Sequence, residues 1–345
     1  MTSRNHGSQS DPASFAFSLC KVLSILMVVS GHWYADSPLP LWIPTVVGLF
    51  IFAFSSGMFT AGIYGVDVDV RAFWRKKLQR LLVPYWLTLF FLALLLLARG
   101  EPVFHWHSLV HVFGLSGFLN LFGQNKSALG GGLWFFTLLL LFYISYPYLA
   151  RLFAATRRHL LLPLVFSAGL VFLDSRIHLG FSLWLTMLGF IVGVFAGGAR
   201  VRVPAAVSLA LAVGATTMML VLTVKFDYKG ANSALLALVC ISTNLWLMRA
   251  RIPQWQPLRL LARLEACLLE IFLVHIYLFV HPTGRNTVDF LLSLVLIVAV
   301  SWSLKQASSV LMQRLFAPRK PAPAPAPLFN DAVLMEMGFQ EHIEH

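Results

Sequence analysis

The stretch FAFSLCKVLSILMVVSGHWYA, residues 15–35, carries one lysine and one histidine in an otherwise apolar or small-residue run. At about 1.5 Å per residue it makes a helix of roughly 31 Å, the thickness of a bilayer's hydrocarbon core. Its apolar side chains are continuous and do not alternate with a period of two, so it reads as a membrane helix and not as a barrel strand. Working outward, similar runs recur to about Leu311. The predicted spans are 15–35, 41–64, 80–98, 132–153, 159–174, 180–198, 203–224, 231–248, 264–281 and 288–311. The whole chain agrees: 58% of its 345 residues are hydrophobic, 12% are charged and the mean hydropathy is +0.77. Soluble domains are about half apolar and a quarter charged. The expected fold is therefore all-α, a polytopic integral membrane helix bundle of about ten transmembrane helices. Residues 15–311 form the membrane domain, 1–14 a polar N-terminal segment, and 312–345 a tail around Pro321–Pro327 that is disordered by composition.

A net charge of +12 would point to nucleic acid in a soluble protein, but here the basic residues follow loop parity. Arg71, Arg75, Lys76, Lys77 and Arg80 follow the second span, Arg151, Arg157 and Arg158 the fourth, Arg200 and Arg202 the sixth, Arg249 to Arg263 the eighth, and Arg314 to Lys320 the last. The alternate loops hold only Arg99, Lys126, Arg176, Lys225, Lys229 and Arg285. No nucleic-acid partner is needed to explain the charge. By the positive-inside rule both termini are cytoplasmic, and the default site is a plasma or inner membrane, with the first span a retained signal anchor. Cys20, Cys240 and Cys267 all lie in or at spans and form no disulfide framework.

Lys21 and His32 interrupt the first span, where an ionisable group costs several kcal/mol unless it is paired or hydrated. Eleven residues separate them, which puts both on one helix face about 16 Å apart. They read either as a lysine snorkelling to the surface with a packed histidine, or as two groups that touch one ligand. Asp36, one turn after His32, can orient the imidazole or merely end the helix before Pro38. His105, His107 and His111 surround Trp106 in an amphipathic stretch, 107–122, and fit an interfacial belt better than a metal site; no metal is assigned. Glu270 and His275 share a span but lie about 140° apart, so they face different neighbours, and His275 is placed to line the cavity of His32.

Five segments in order resemble acyltransferase family 3, the integral-membrane enzymes that use acyl-CoA. FSLCKVLSILMVVSGHWY resembles the family's first helix, a basic residue followed after ten others by histidine. GLFIFAFSSGMFTAG resembles the second, FWRKKLQRLLVPYW the basic stretch ending in Pro-Tyr, GGLWFFTLLLLFYISYP the Leu-Trp-Phe segment, and LEIFLVHIY a late helix with Phe272 before His275. Three departures stand out: Lys21 replaces the usual arginine, Leu138–Leu141 occupy the place of a glutamate pair, and Leu268 that of a serine.

The resemblance implies an O-acyltransferase with acyl-CoA, most simply acetyl-CoA, as co-substrate, no tightly bound cofactor, and a hydroxyl of a carbohydrate or related compound as acceptor. It implies His32 as general base or acyl-carrying nucleophile, since a histidine pKa lies near the operating pH. It implies Lys21, Lys77 and Arg80 as donor-phosphate contacts, and Ser56, Trp134 and His275 as substrate-binding residues. Extended pantetheine is as long as the Lys21–His32 separation, about four or five peptide units. A donor held on the cytoplasmic side would then serve an acceptor at the outer face. The alternative from the residues alone is a transporter of a small molecule or glycan intermediate, with Lys21 and His32 lining its path.

Overall fold

The computed structural model describes residues 12–35, 42–105, 107–155, 160–177, 183–199, 201 and 203–316. Its helices are α1 (Pro12–Trp33), α2 (Trp42–Tyr64), α3 (Val70–Ala98), α4 (Ser108–Val112), α5 (Ser116–Leu121), α6 (Trp134–Ala155), α7 (Leu161–Arg176), α8 (Leu183–Ala199), α9 (Ala205–Leu220), α10 (Asn232–Leu247), α11 (Gln256–Ala262), α12 (Leu268–Val274) and α13 (Asn286–Phe316). No strand occurs among the described residues. Six helices, α1, α2, α3, α6, α9 and α13, are long and apolar enough to cross a membrane. α7, α8 and α10 occupy three further predicted spans at 16 or 17 residues each. Large apolar side chains such as Phe90, Val213, Leu291 and Val295 stand exposed along these helices, as they must in a protein solvated by lipid.

Two expectations need correction. α3 begins ten residues before the predicted span, because Asp69 accepts hydrogen bonds from the backbone N–H of Arg71 (3.0 Å) and Ala72 (3.2 Å). A cap, and not the onset of apolar residues, sets where a helix starts, so Lys77 and Arg80 lie on the helix itself. The predicted span 264–281 is not one helix: a 3₁₀ turn at Arg263–Cys267 precedes α12, and another at His275–Tyr277 follows it. Asp36, Trp106 and the Pro-Ala tail lie outside the described residues.

The tightest packing is between α2 and α8. A Cβ on Gly193 would stand 2.2 Å from the carbonyl oxygen of Phe54, one on Gly57 2.4 Å from that of Phe190, and one on Gly197 2.4 Å from that of Met58. Gly189, Gly193 and Gly197 repeat every four residues and so form one stripe along α8. Without a hydrophobic drive between helices in lipid, such stripes let backbones approach and gain dispersion contact. The contacts Phe50–Gly189, Phe54–Gly193 and Met58–Gly197 advance together, so the two helices run parallel.

The connection 99–133 folds over the other end of the bundle. It exposes apolar side chains, Leu109, Phe113, Phe118 and Phe122, and His105, while His107 and His111 are buried at 0% exposure, so two of the three histidines depart from the expected interfacial belt. Burial, with His107 close by, pushes His111 down to about 4. Its Nδ1 meets Ser116 Oγ at 2.8 Å, and its backbone carbonyl accepts from the Tyr85 hydroxyl at 2.5 Å. The same connection grips the turn after His275: Gly130 N–H donates to the Tyr277 hydroxyl (2.9 Å), and Arg99 Nη1 to the Tyr277 carbonyl (2.9 Å).

Candidate active site

α1 presents Lys21 and His32 to the same neighbour, the broken segment 263–277. Lys21 forms an ion pair with Glu265, and the His32 ring lies 5.1 Å from the ring of His275, centroid to centroid. Eleven residues of α-helix span about 16 Å; ten residues of this segment match that length because 3₁₀ turns rise ~2 Å per residue instead of 1.5 Å. The breaks therefore keep both pairs in register.

A cavity of about 310 Å³ opens at the Lys21 end. Lys21, Lys77, Glu265, Ser56, Thr60 and Tyr143 supply its polar lining, and Phe52, Phe59, Phe135, Leu139, Leu269 and Phe272 its apolar wall. The ammonium of Lys77 sits 4.4 Å from the ring centre of Tyr143, 5.3 Å from Tyr64 and 5.7 Å from Phe73, with Thr60 Oγ1 at 3.4 Å. Ser56 donates to the Tyr143 hydroxyl at 2.9 Å. The space combines a largely apolar wall with two cations, Lys21 and Lys77.

Two aromatic rings of the cavity wall, Phe135 and Phe272, separate it from the histidines. Phe272 packs 4.6 Å from Phe135 on one side and 5.7 Å from His275 on the other. His275 is 1% exposed, and its Nδ1 lies 2.8 Å from the carbonyl oxygen of Phe272. A carbonyl only accepts, so Nδ1 carries the proton and Nε2 presents a lone pair. That Nε2 is buried and has no hydrogen-bond partner. Its lone pair stands in the neighbourhood of the His32 imidazole, 5.1 Å away centroid to centroid.

The model of the acyltransferase family 3 domain, described as an acyltransferase domain, matches residues 15–305. The chain belongs to this family. No curated protein and no solved structure matches it. Membership makes it a membrane acyltransferase, and the matched region takes in the cavity and the histidine pair.

In this acyltransferase the expected site residues divide. Lys21, Lys77 and Ser56 share the cavity, and His32 and His275 form the pair above it. Arg80 is exposed and outside the cavity lining. Trp134 lines a separate apolar groove with Gly117, Asn120, Thr137 and Leu183 and touches the cavity wall through its edge-to-face contact with Phe272 (6.4 Å), while its neighbour Phe135 lines the cavity. Two contributors were not anticipated. Glu265 pairs with Lys21 across 244 residues of sequence, a distance over which no local pattern signals contact. Tyr143 was only a downstream aromatic in the quoted segment. Glu270, 1% exposed with Oε1 unpartnered, lies on α12 away from the cavity lining, as its 140° offset from His275 requires.

Proposed function

We propose that this acyltransferase takes an acyl group, most simply acetyl, from acyl-CoA on the cytoplasmic side and transfers it to a hydroxyl of a carbohydrate-like acceptor at the outer face. One observation carries the reading: the lysine-bearing cavity lies beside the middle of α1, and its wall reaches Phe272, whose ring packs 5.7 Å from His275, the neighbour of His32 near the C-terminal end of α1. Donor phosphates stay at the mouth with Lys77 and Lys21, pantetheine fills the apolar channel, and the thioester passes Phe272 to reach His32. His32 takes the proton of the acceptor hydroxyl as its oxygen attacks the thioester carbonyl. The C–S bond then breaks, the thiolate leaves, and His32 returns the proton to sulfur. His275 is a positioning residue whose Nε2, unpartnered in the resting protein, accepts the His32 N–H once the substrates draw the two rings together. Trapping an acyl group on His32 would replace the base with a covalent relay and leave the site unchanged.

Ten crossings suit this scheme, and parity supports them. Parallel packing of α2 and α8 requires an odd number of crossings between them, which α3, α6 and α7 supply. The parallel register of α1 with 263–277 is likewise met when α9 and α10 both cross. With the basic loops cytoplasmic, both termini are then inside the cell. The test uses sealed proteoliposomes of known orientation, with acyl-CoA on one side and acceptor on the other. Product is expected with the donor at the Lys21 face and the acceptor opposite. Product formed only when both are on one side overturns the cross-membrane route.

A further inference from the structure

Two cations share the cavity mouth, but they are treated differently. Lys77 is surrounded by aromatic faces and a hydroxyl, and no carboxylate lies within ion-pair distance of it among the described residues. Lys21 already has an anion: Glu265 is bound to it, with Lys21 17% and Glu265 35% exposed. An ammonium in apolar surroundings needs such a partner when no ligand is present. The partner comes from a 3₁₀ turn at the open end of the cavity, where Glu265 is the more exposed of the two and returns to water at little cost.

Building on the donor reading above, we infer that Glu265 is the resting occupant of a phosphate subsite at Lys21, and that the donor binds by exchanging a phosphate for this carboxylate. Lysine suits the exchange: its ammonium is a compact charge with three rotatable donors and no fixed fork, so it accepts either anion. The carboxylate and a phosphate cannot both lie against it without mutual repulsion. A monoanion gains nothing over Glu265, whereas a phosphate monoester brings a charge of nearly −2 and three acceptor oxygens. Glu265 thus sets a threshold of ligand charge at the mouth. The exchange also loosens the Glu265 end of the segment that carries His275 at its other end, since the Lys21–Glu265 pair is one of the contacts that register it on α1.

The experiment measures binding of coenzyme A and, separately, of inorganic pyrophosphate to the full chain in detergent at low ionic strength, by calorimetry. Neutralising the competitor in Glu265→Gln should tighten both ligands by about three- to tenfold, the scale of a partly exposed ion pair. In a Lys21→Gln background the same change should have no effect, because Glu265 acts only through Lys21. If Glu265→Gln does not fold, Glu265→Asp, with its shorter arm, should still tighten binding. Unchanged or weaker coenzyme A binding in a folded Glu265 variant overturns the exchange and leaves the donor reading standing. Pyrophosphate binding with the expected pattern but no coenzyme A binding supports the exchange and removes coenzyme A as donor. No binding of either ligand to any variant overturns both.

Discussion

Replacing His275 by phenylalanine should separate its role in stability from its role in catalysis. The wild-type ring has one satisfied nitrogen, Nδ1 to the Phe272 carbonyl at 2.8 Å, and one buried nitrogen, Nε2, with no hydrogen-bond partner. Losing the first costs about 1 kcal/mol, while removing the second relieves a desolvation penalty of about 1–3 kcal/mol. A phenyl ring keeps the edge-to-face contacts with Phe272 (5.7 Å) and Phe279 (6.2 Å). His275→Phe should therefore unfold within about 2 kcal/mol of wild type, on the more stable side, in thermal or denaturant titration. Transfer should fall by about 100-fold or more, because a base that loses its orienting partner forfeits much of the ~10²–10⁴-fold that general base catalysis supplies. The loss should appear in kcat, measured as thiol released from acyl-CoA in the presence of acceptor. His275→Gln, whose amide oxygen can accept from His32, should recover part of it. Transfer within tenfold of wild type in His275→Phe would refute the positioning role, and destabilisation beyond 3 kcal/mol would refute the unsatisfied Nε2.

His32→Gln should leave the protein folded and abolish detectable transfer; normal transfer by a well-expressed variant would remove His32 from the mechanism. Lys77→Gln should raise KM for acyl-CoA, while Arg80→Gln, exposed and outside the cavity lining, should alter it much less. Gly193→Val sets a Cβ 2.2 Å from the Phe54 carbonyl oxygen, with backbone on both sides, and should cost at least about 3 kcal/mol in unfolding free energy. His111 stays neutral in the fold down to about pH 4, whereas the unfolded chain protonates it near 6.5. Its contribution is therefore complete above pH 6.5 and lost as pH falls through 4, up to about 3 kcal/mol at ~1.4 kcal/mol per pH unit. The Tm of wild type should fall over that window, and His111→Gln should flatten the slope.

The all-α membrane fold and the positions of its helices were legible because lipid demands long apolar runs, and such runs are local. That Lys21 and His32 share a face followed from helix geometry, and His275 does stand beside His32, though neither ring lines the cavity at Lys21. Boundaries were less legible: hydropathy does not register a cap such as Asp69 or a change from α to 3₁₀ at Arg263 and His275. Partners were the least legible. Glu265 looked like an ordinary acidic residue at a span end, and only tertiary structure brings it to Lys21. Trp134 and Phe135 were equally aromatic in the sequence, and the rotation of α6 decides which one faces the cavity. The Gly189, Gly193, Gly197 spacing was available from the sequence and is the signal that would have paired α8 with a close neighbour.

That pairing divides the cavity into a stationary jaw and a moving one. α2 supplies Phe52, Ser56, Phe59 and Thr60 to one wall, and its glycine contacts hold its backbone directly against α8, so this wall has no room to yield. The opposite wall, Glu265 to Phe272, belongs to a segment whose helical ladder is interrupted at both ends. If either wall is to yield to a ligand larger than the existing space, it is the second, and because that segment also carries Phe272 and His275, any such displacement would move the ring next to the histidines together with the group beside His32.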